Sequence, residues 1–296
     1  MDHDAPPAIA VVGMVRCGTT WLAQLLQTLP GAAVLYEPLL ARTNPEAAKI
    51  GVVGEVYRPA AEDWPELEDY LRRVFLGRVK SDSLLRMEND PPREPVTWIV
   101  KFAHANRLLP WMARRYPEVR FLWLVRHPCA VVASILPRRT PAQLAALSSR
   151  SIAHLFPEWT GLLSRLETPE EHLAAKWSLN HLVPLAEPKP AWERVTYERL
   201  LRDVKGELGP VLSSWGYEMP PALQGRVDLP SITTTDGTPG FPRRTDRLAR
   251  WREVLSDGQI RRILAVVEAF GVDVYDESLD PSPSFRSSRR PAEAGR

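Results

Sequence analysis

Residues 13–21, GMVRCGTTW, form a glycine-bearing turn between a short apolar run (Ala8 to Val12) and a helix-like segment marked by Leu22, Leu25, Leu26 and Leu29. A strand, a tight turn and a helix in that order restrict the fold more than any other stretch of this chain. They require an α/β unit with the turn at the carboxyl edge of a sheet. Such a turn is also how proteins hold phosphate, because backbone N–H groups at the helix start point at the anion and the helix dipole favours its charge. The spacing is G-x-x-x-x-G-x-T, close to a Walker A loop, but Thr19 stands where the lysine of that loop belongs and the nearest cation is Arg16, before the second glycine. A Walker lysine reaches the β- and γ-phosphates of a nucleoside triphosphate, with Mg²⁺ held by the neighbouring Ser or Thr. Without the lysine, the loop suits a shorter anion.

Further along, residues 33–37 (AVLYE), 97–102 (TWIVKF), 120–125 (RFLWLV) and 193–197 (ERVTY) read as strands beside 8–13. Near-continuous apolar runs of this length suit a parallel sheet buried on both faces. Helical patterns lie between them at 105–116, 140–156, 168–185 and 198–215. Thr140, Thr168 and Ser256 each open a capping-box pattern, with Gln or Glu three residues on. The alternation predicts an α/β fold with an open, doubly wound parallel sheet flanked by helices. A single domain is expected over residues 1–280. It carries an insertion at 41–95, whose amphipathic stretch is Leu67, Leu71, Val74 and Phe75, and a cover segment at 137–168. Residues 226–246 read as a loop, and 281–296 as a disordered tail.

The chain has 296 residues and a net charge of +2, so composition gives no global nucleic-acid or membrane signature. No apolar run approaches the roughly 18 residues of a membrane-spanning helix. The acidic start, Met1-Asp2-His3-Asp4, has none of the features of a secretory signal, and two cysteines make no disulfide framework. A cytoplasmic location is the expectation. Cys17 and Cys129 are expected to be small buried packing residues. The six histidines and two cysteines show no metal-ligand spacing, so no metal is expected.

A second motif, RHPCAVVAS, runs from Arg126 to Ser134 directly after the strand at 120–125. Arg126 falls at a strand's carboxyl end, where open α/β sheets bind ligands. Ser134 follows eight residues later, about two helical turns on. An arginine and a hydroxyl converging there could grip a second phosphate. Taken alone, the motif is equally an ordinary strand end with a surface arginine.

The two motifs together, roughly 110 residues apart, resemble the PAPS-dependent sulfotransferase family, and its bacterial and carbohydrate-type members more than the cytosolic ones. Trp177 in AAKWSLNHL, the segment VTYERL at 195–200 and RWREVLS at 250–256 resemble family landmarks in family order, so the likeness spans about residues 8–40 and 97–272. It implies that the first loop (Arg16, Cys17, Gly18, Thr19, Thr20) binds the 5′-phosphosulfate of 3′-phosphoadenylyl sulfate (PAPS). Arg126 and Ser134 would bind its 3′-phosphate, and Trp21 and Tyr197 would lie on the adenine side. Arg243 and Arg244 are the nearest candidates for further 3′-phosphate contacts. Cys17 replaces a commoner serine.

For the general base the resemblance offers Glu37, in the YEP segment at 36–38, and His104. His104 comes three residues after Lys101, whereas the cytosolic pattern has a histidine two after the lysine. Lys101 itself could touch the sulfonate or the acceptor. The implied reaction is sulfonate transfer from PAPS to a hydroxyl of a small molecule, carbohydrate or natural product, releasing adenosine 3′,5′-bisphosphate (PAP) without a metal. The other reading open to the sequence is a P-loop-like kinase or NTPase using ATP and magnesium.

Overall fold

In the computed structural model the described residues are 8–42, 44–52, 57–79, 82–85, 94–233 and 243–285. Five strands form one sheet: β1 (Ala8–Gly13), β2 (Ala32–Tyr36), β3 (Thr97–Phe102), β4 (Arg120–Val125) and β5 (Trp192–Thr196), in the order β2-β3-β1-β4-β5. All four pairings are parallel, and the register brings the carboxyl ends level: Tyr36 lies opposite Lys101, Val12 opposite both Phe102 and Trp123, and Val125 opposite Thr196. Every residue of β1, β2 and β3 is buried, which is why these strands read as unbroken apolar runs rather than alternating ones.

Two apolar cores flank the sheet. On one face Val11, Ile99 and Leu124 pack with Leu22 and Leu26 of the helix Thr19–Leu26 and with Leu200, Leu208 and Leu212 of the helices Tyr197–Arg202 and Val204–Ser214. On the other, Val12, Val100 and Trp123 pack with the helices Pro65–Phe75, Leu109–Arg115, Pro128–Ile135, Pro169–Leu185 and Asp257–Ala269. The chain leaves β1 onto the first face and β4 onto the second. Adjacent strands whose following helices diverge leave a crevice at their carboxyl ends, so Gly13–Gly18 and Arg126 border the same crevice.

All three expected capping boxes are formed, at Thr140, Thr168 and Ser256. Two helices are shorter than their periodicity predicts. The one starting at Thr140 stops at Leu147 and gives way to 3₁₀ turns over Ser149–Ser151 and Ala153–Leu155. The Ser148 and Ser151 hydroxyls donate to nearby carbonyls (Ala145 O and Ser148 O), offering the backbone an alternative to the helix. The stretch 198–215 divides at Asp203, whose carboxylate accepts from the N–H of Gly206 and caps the second half.

The amphipathic stretch of the insertion forms the helix Pro65–Phe75, with Phe75 against Phe102, Tyr116 and Phe121. The chain leaves that helix through Gly77, at φ +66°, where a Cβ would sit 2.0 Å from the Trp98 indole; only glycine fits. Of the C-terminal tail, Pro281–Phe285 is described, with Phe285 buried against Trp123; residues 286–296 lie outside the described residues. Among the described residues no helix is long and apolar enough to cross a membrane.

Candidate active site

The turn after β1 is held open by its own geometry. Cys17 N–H donates to Met14 O, Gly18 adopts φ +100°, and the helix from Thr19 begins with no side-chain cap and no acidic residue in its first turn. The first N–H groups of a helix have no intrahelical partner, so this N-terminus presents amide hydrogens to the crevice. A Cβ on Gly18 would lie 2.8 Å from the Tyr197 ring, and one on Gly13 would meet the Thr19 methyl at 2.6 Å. Both glycines are therefore fixed by close approach, and Thr19 and Thr20 are buried beside them. Arg16 takes φ +71°, a region costly for a side chain with a Cβ.

That strained arginine is where the two motifs meet. Its Nε donates to Ser134 Oγ at 2.8 Å, and its backbone carbonyl accepts from an Arg126 guanidinium N–H at 3.0 Å. The Arg126 guanidinium lies 4.2 Å from the centre of the Tyr197 ring, and its buried Nε–H has no hydrogen-bond partner among the described residues. A buried charged donor left open in this way fits an anion. Two cations, a serine hydroxyl and a run of helix-start amides thus line one stretch of crevice.

Trp21 and Tyr197 pack together at 5.2 Å between ring centres, and the buried Trp21 Nε1–H also lacks a partner among the described residues. Against both rings lies Arg247, which no motif in the sequence marks. Its guanidinium donates to the Tyr197 hydroxyl at 2.9 Å and to Val227 O at 3.1 Å, and sits 5.5 Å from the Trp21 ring. Arg244, one turn earlier in the helix Arg244–Ala249, makes a two-pronged pair with Asp228 at the surface, and Arg243 is exposed at the helix start. The three-residue offset from Arg244 to Arg247 is one helical turn. A helix drawn through this segment, in place of a loop, would have pointed to Arg247.

Glu37 stands at the end of β2, also with positive φ (+52°). Its backbone N–H donates to Lys101 O at 2.9 Å, its Oε2 accepts from the N–H of Ala103 at 2.9 Å, and its Oε1 pairs with the Lys101 ammonium. Lys101 is thus engaged with Glu37, while His104, half-buried, follows the amide that Glu37 holds by one residue. The two candidate bases thus follow the carboxyl ends of two neighbouring strands, Glu37 after β2 and His104 after β3. Among the described residues no group of three or more His, Cys, Asp or Glu could hold a metal ion.

The profile of the "Sulfotransferase family" matches residues 7–221, well over half of the chain. The chain belongs to the sulfotransferase family. Among curated proteins none matches it in sequence. Among solved structures it is similar to the sulfotransferase domain of the Synechococcus PCC 7002 olefin synthase (18% identity, 94% of this chain and 98% of that one, TM-score 0.48). It is likewise similar to the sulfotransferase domain from the curacin biosynthetic pathway (16%, 89% and 98%, 0.47) and to a mouse sulfotransferase solved in complex with PAP (12%, 89% and 84%, 0.45).

Two buried groups of this sulfotransferase shape the field around Arg126. Cys17 is fully buried in the apolar core, and burial pushes its thiol up to about 12 against the pull of the Arg126 charge. The thiol is therefore neutral, leaving the backbone as the part of Cys17 available to the loop. His127 is pushed down to about 4 by burial. Its Nδ1 accepts from the N–H of Cys129, which places the proton on Nε2, 3.0 Å from the carbonyl of Asp276. A neutral His127, stacked on Trp251 at 4.7 Å, adds no positive charge beside Arg126. Cys129 is likewise buried and raised to about 12.

Proposed function

We propose that this sulfotransferase takes its sulfonate from PAPS and passes it to a hydroxyl without a metal. The observation that carries this reading is the double engagement of Arg16, by Ser134 through its side chain and by Arg126 through its carbonyl. It joins a helix-start anion site to a second cationic site. PAPS has two separated anionic groups, a 5′-phosphosulfate and a 3′-phosphate, and no triphosphate. The site fits it: a cradle that admits no Cβ at Gly18, an open Arg126 Nε–H, and the Trp21–Tyr197 ring pair for a base.

When bound, PAPS would supply a sulfonate on a phosphate leaving group. The amides of Gly18, Thr19 and Thr20 would hold the 5′ end, with Arg16 neutralising charge on the phosphate side. Arg126 and Ser134 would hold the 3′-phosphate, with Arg247 fixing Tyr197. As the S–O bond to the acceptor forms and the S–O bond to the phosphate breaks, the hydroxyl proton would go to Glu37, with His104 the second candidate. Lys101, paired with Glu37, would keep that carboxylate in place.

The acceptor would enter from the side of the insertion and the cover segment, which touch through Tyr57 and Phe156 (6.1 Å between ring centres); Arg107 lies 5.5 Å from the centre of the Phe156 ring. Of the other aromatics in these segments, Phe75 packs into the core and Trp159 against Phe270. The acceptor surface we infer centres on the half-buried Tyr57 and Trp64, with Phe156 buried behind Tyr57. Isothermal titration of the chain with PAP and with ATP·Mg²⁺ tests the reading. Tight binding of PAP and weak binding of ATP·Mg²⁺ is expected; preference for ATP·Mg²⁺ would sink it.

A further inference from the structure

The peptide group between Arg126 and His127 is clamped from both sides. Its carbonyl accepts from Trp177 Nε1–H at 3.1 Å, and its N–H donates to Glu198 Oε1 at 3.0 Å. Both partners are buried: Trp177 fully, and Glu198 to 2% exposure. They come from different elements, the helices Pro169–Leu185 and Tyr197–Arg202. The second oxygen of Glu198 accepts from the Tyr275 hydroxyl at 2.7 Å. Tyr275 also packs edge-on against His127 and Trp177, at 4.9 and 6.2 Å. A backbone unit with both polar groups bound by buried side chains has almost no freedom to rotate, and this is the unit from which the Arg126 side chain springs.

Glu198 is not needed there as a carboxylate for packing alone. A buried ionised group is costly unless charge or hydrogen bonds compensate it, and an apolar or amide side chain of similar volume often serves stability as well. The compensation visible here is two hydrogen bonds and the positive charge of Arg126. Burial works against ionisation of Glu198 and raises it on balance, although both bonds and Arg126 favour the charged form. The neighbouring residue completes the arrangement: Tyr197 lies under the Arg126 guanidinium at 4.2 Å. One turn of helix therefore fixes Arg126 twice, its backbone through Glu198 and its side chain through Tyr197.

We propose that Glu198 is a positioning residue that holds Arg126 for the 3′-phosphate and sets the preference of this enzyme for 3′-phosphorylated nucleotides. The proposal rests on Arg126 being the 3′-phosphate ligand. Its consequence is specific. Loss of Glu198 should weaken chiefly what Arg126 recognises; the 5′ end, bound at Gly18–Thr20 and reached by Arg126 only through the Arg16 carbonyl, should change far less.

The test measures dissociation constants for PAP and for AMP, which lacks the 3′-phosphate, by titration of the full chain. The wild-type protein should bind PAP far more tightly than AMP. Glu198→Gln keeps an oxygen for the His127 N–H but puts an amide nitrogen where the Tyr275 hydroxyl donates, and should lower the preference for PAP over AMP about 10-fold; Glu198→Ala removes both bonds and should lower it about 100-fold. AMP affinity should move less than about threefold. In an Arg126→Ala background, Glu198→Gln should leave the ratio where Arg126→Ala alone puts it. The glutamine variant carries the test should the alanine variant not fold. Equal wild-type affinity for PAP and AMP would overturn the 3′-phosphate reading and this proposal with it. A wild-type preference that survives Glu198→Gln, or PAP and AMP weakening together, would overturn the positioning role alone.

Discussion

The proposed nucleotide side and the proposed acceptor side of this sulfotransferase are built in different ways. On the nucleotide side the contacts are short and come from a few helix starts and strand ends: Arg16 to Ser134, Arg126 to Arg16, Arg247 to Tyr197, Glu198 to His127. On the acceptor side the covering segments are tied down by side chains reaching backbone carbonyls. Arg115 reaches Ala60 and Glu62, Trp111 reaches Glu62, and Tyr116 reaches Glu68, while the cover after Leu147 runs through short 3₁₀ turns. The first arrangement suits a ligand of fixed shape. The second leaves acceptor choice to segments that can change without disturbing the sheet. Glu37, a strained residue just past β2, is tied to the end of β3.

If this division is right, substitutions should sort into those that stop chemistry and those that loosen nucleotide. The largest effect is expected for Glu37→Gln: sulfonate transfer falls by ~10²–10⁴ while PAP affinity stays within about twofold of wild type. An active Glu37→Gln beside an inactive His104→Ala would move the base to His104. Arg16→Ala should cost ~10²–10³ in kcat, since we propose Arg16 as the cation on the departing phosphate. Arg126→Ala should weaken PAP binding by about 10- to 100-fold, in line with the loss of a charged hydrogen bond. Unchanged binding would remove Arg126 from the nucleotide side. Arg247→Ala should weaken PAP about 10-fold, against less than about twofold for Arg244→Ala, whose guanidinium is occupied by Asp228. Equal effects from the two would erase the distinction between them.

A change of pH should sharpen the same comparison through stability. His127 and His181 are both held down to about 4 by burial. Their ordinary value is near 6.5, so the unfolded chain binds these protons first, and stability should fall as pH drops from about 6.5 towards 4. Each contributes at most about 3 kcal/mol over that range. Glu198, raised by burial, works in the opposite sense: its contribution is present below its ordinary value and is lost as pH rises towards its raised one. Thermal unfolding of Glu198→Gln between pH 7 and pH 4 removes the opposing carboxyl; a midpoint that rises in that variant as the pH falls would show that the histidines are not buried neutral.

The strands were legible because a parallel sheet covered on both faces demands continuous apolar runs, and residues 8–13, 97–102 and 120–125 fall as expected. The capping boxes were legible because they are local chemistry. Local competition hid the stops at Ser148 and Asp203, where polar side chains outweigh the helical period. Arg247 was hidden because its relevance depends on helical phase through a segment rich in turn residues. Glu198 was hidden for a further reason. Nothing beside it in the sequence reveals that Tyr275 and the N–H of His127 converge on its carboxylate.

The two proposed anion sites meet at one joint, Arg16. The most direct measurement is a crystal structure of the chain grown with PAP. The 3′-phosphate is expected within hydrogen-bonding distance of Ser134 Oγ and the Arg126 guanidinium, and the 5′-phosphate on the amides of Gly18, Thr19 and Thr20. A nucleotide whose 3′-phosphate lies away from Arg126, or whose 5′-phosphate leaves the helix start empty, would contradict that placement.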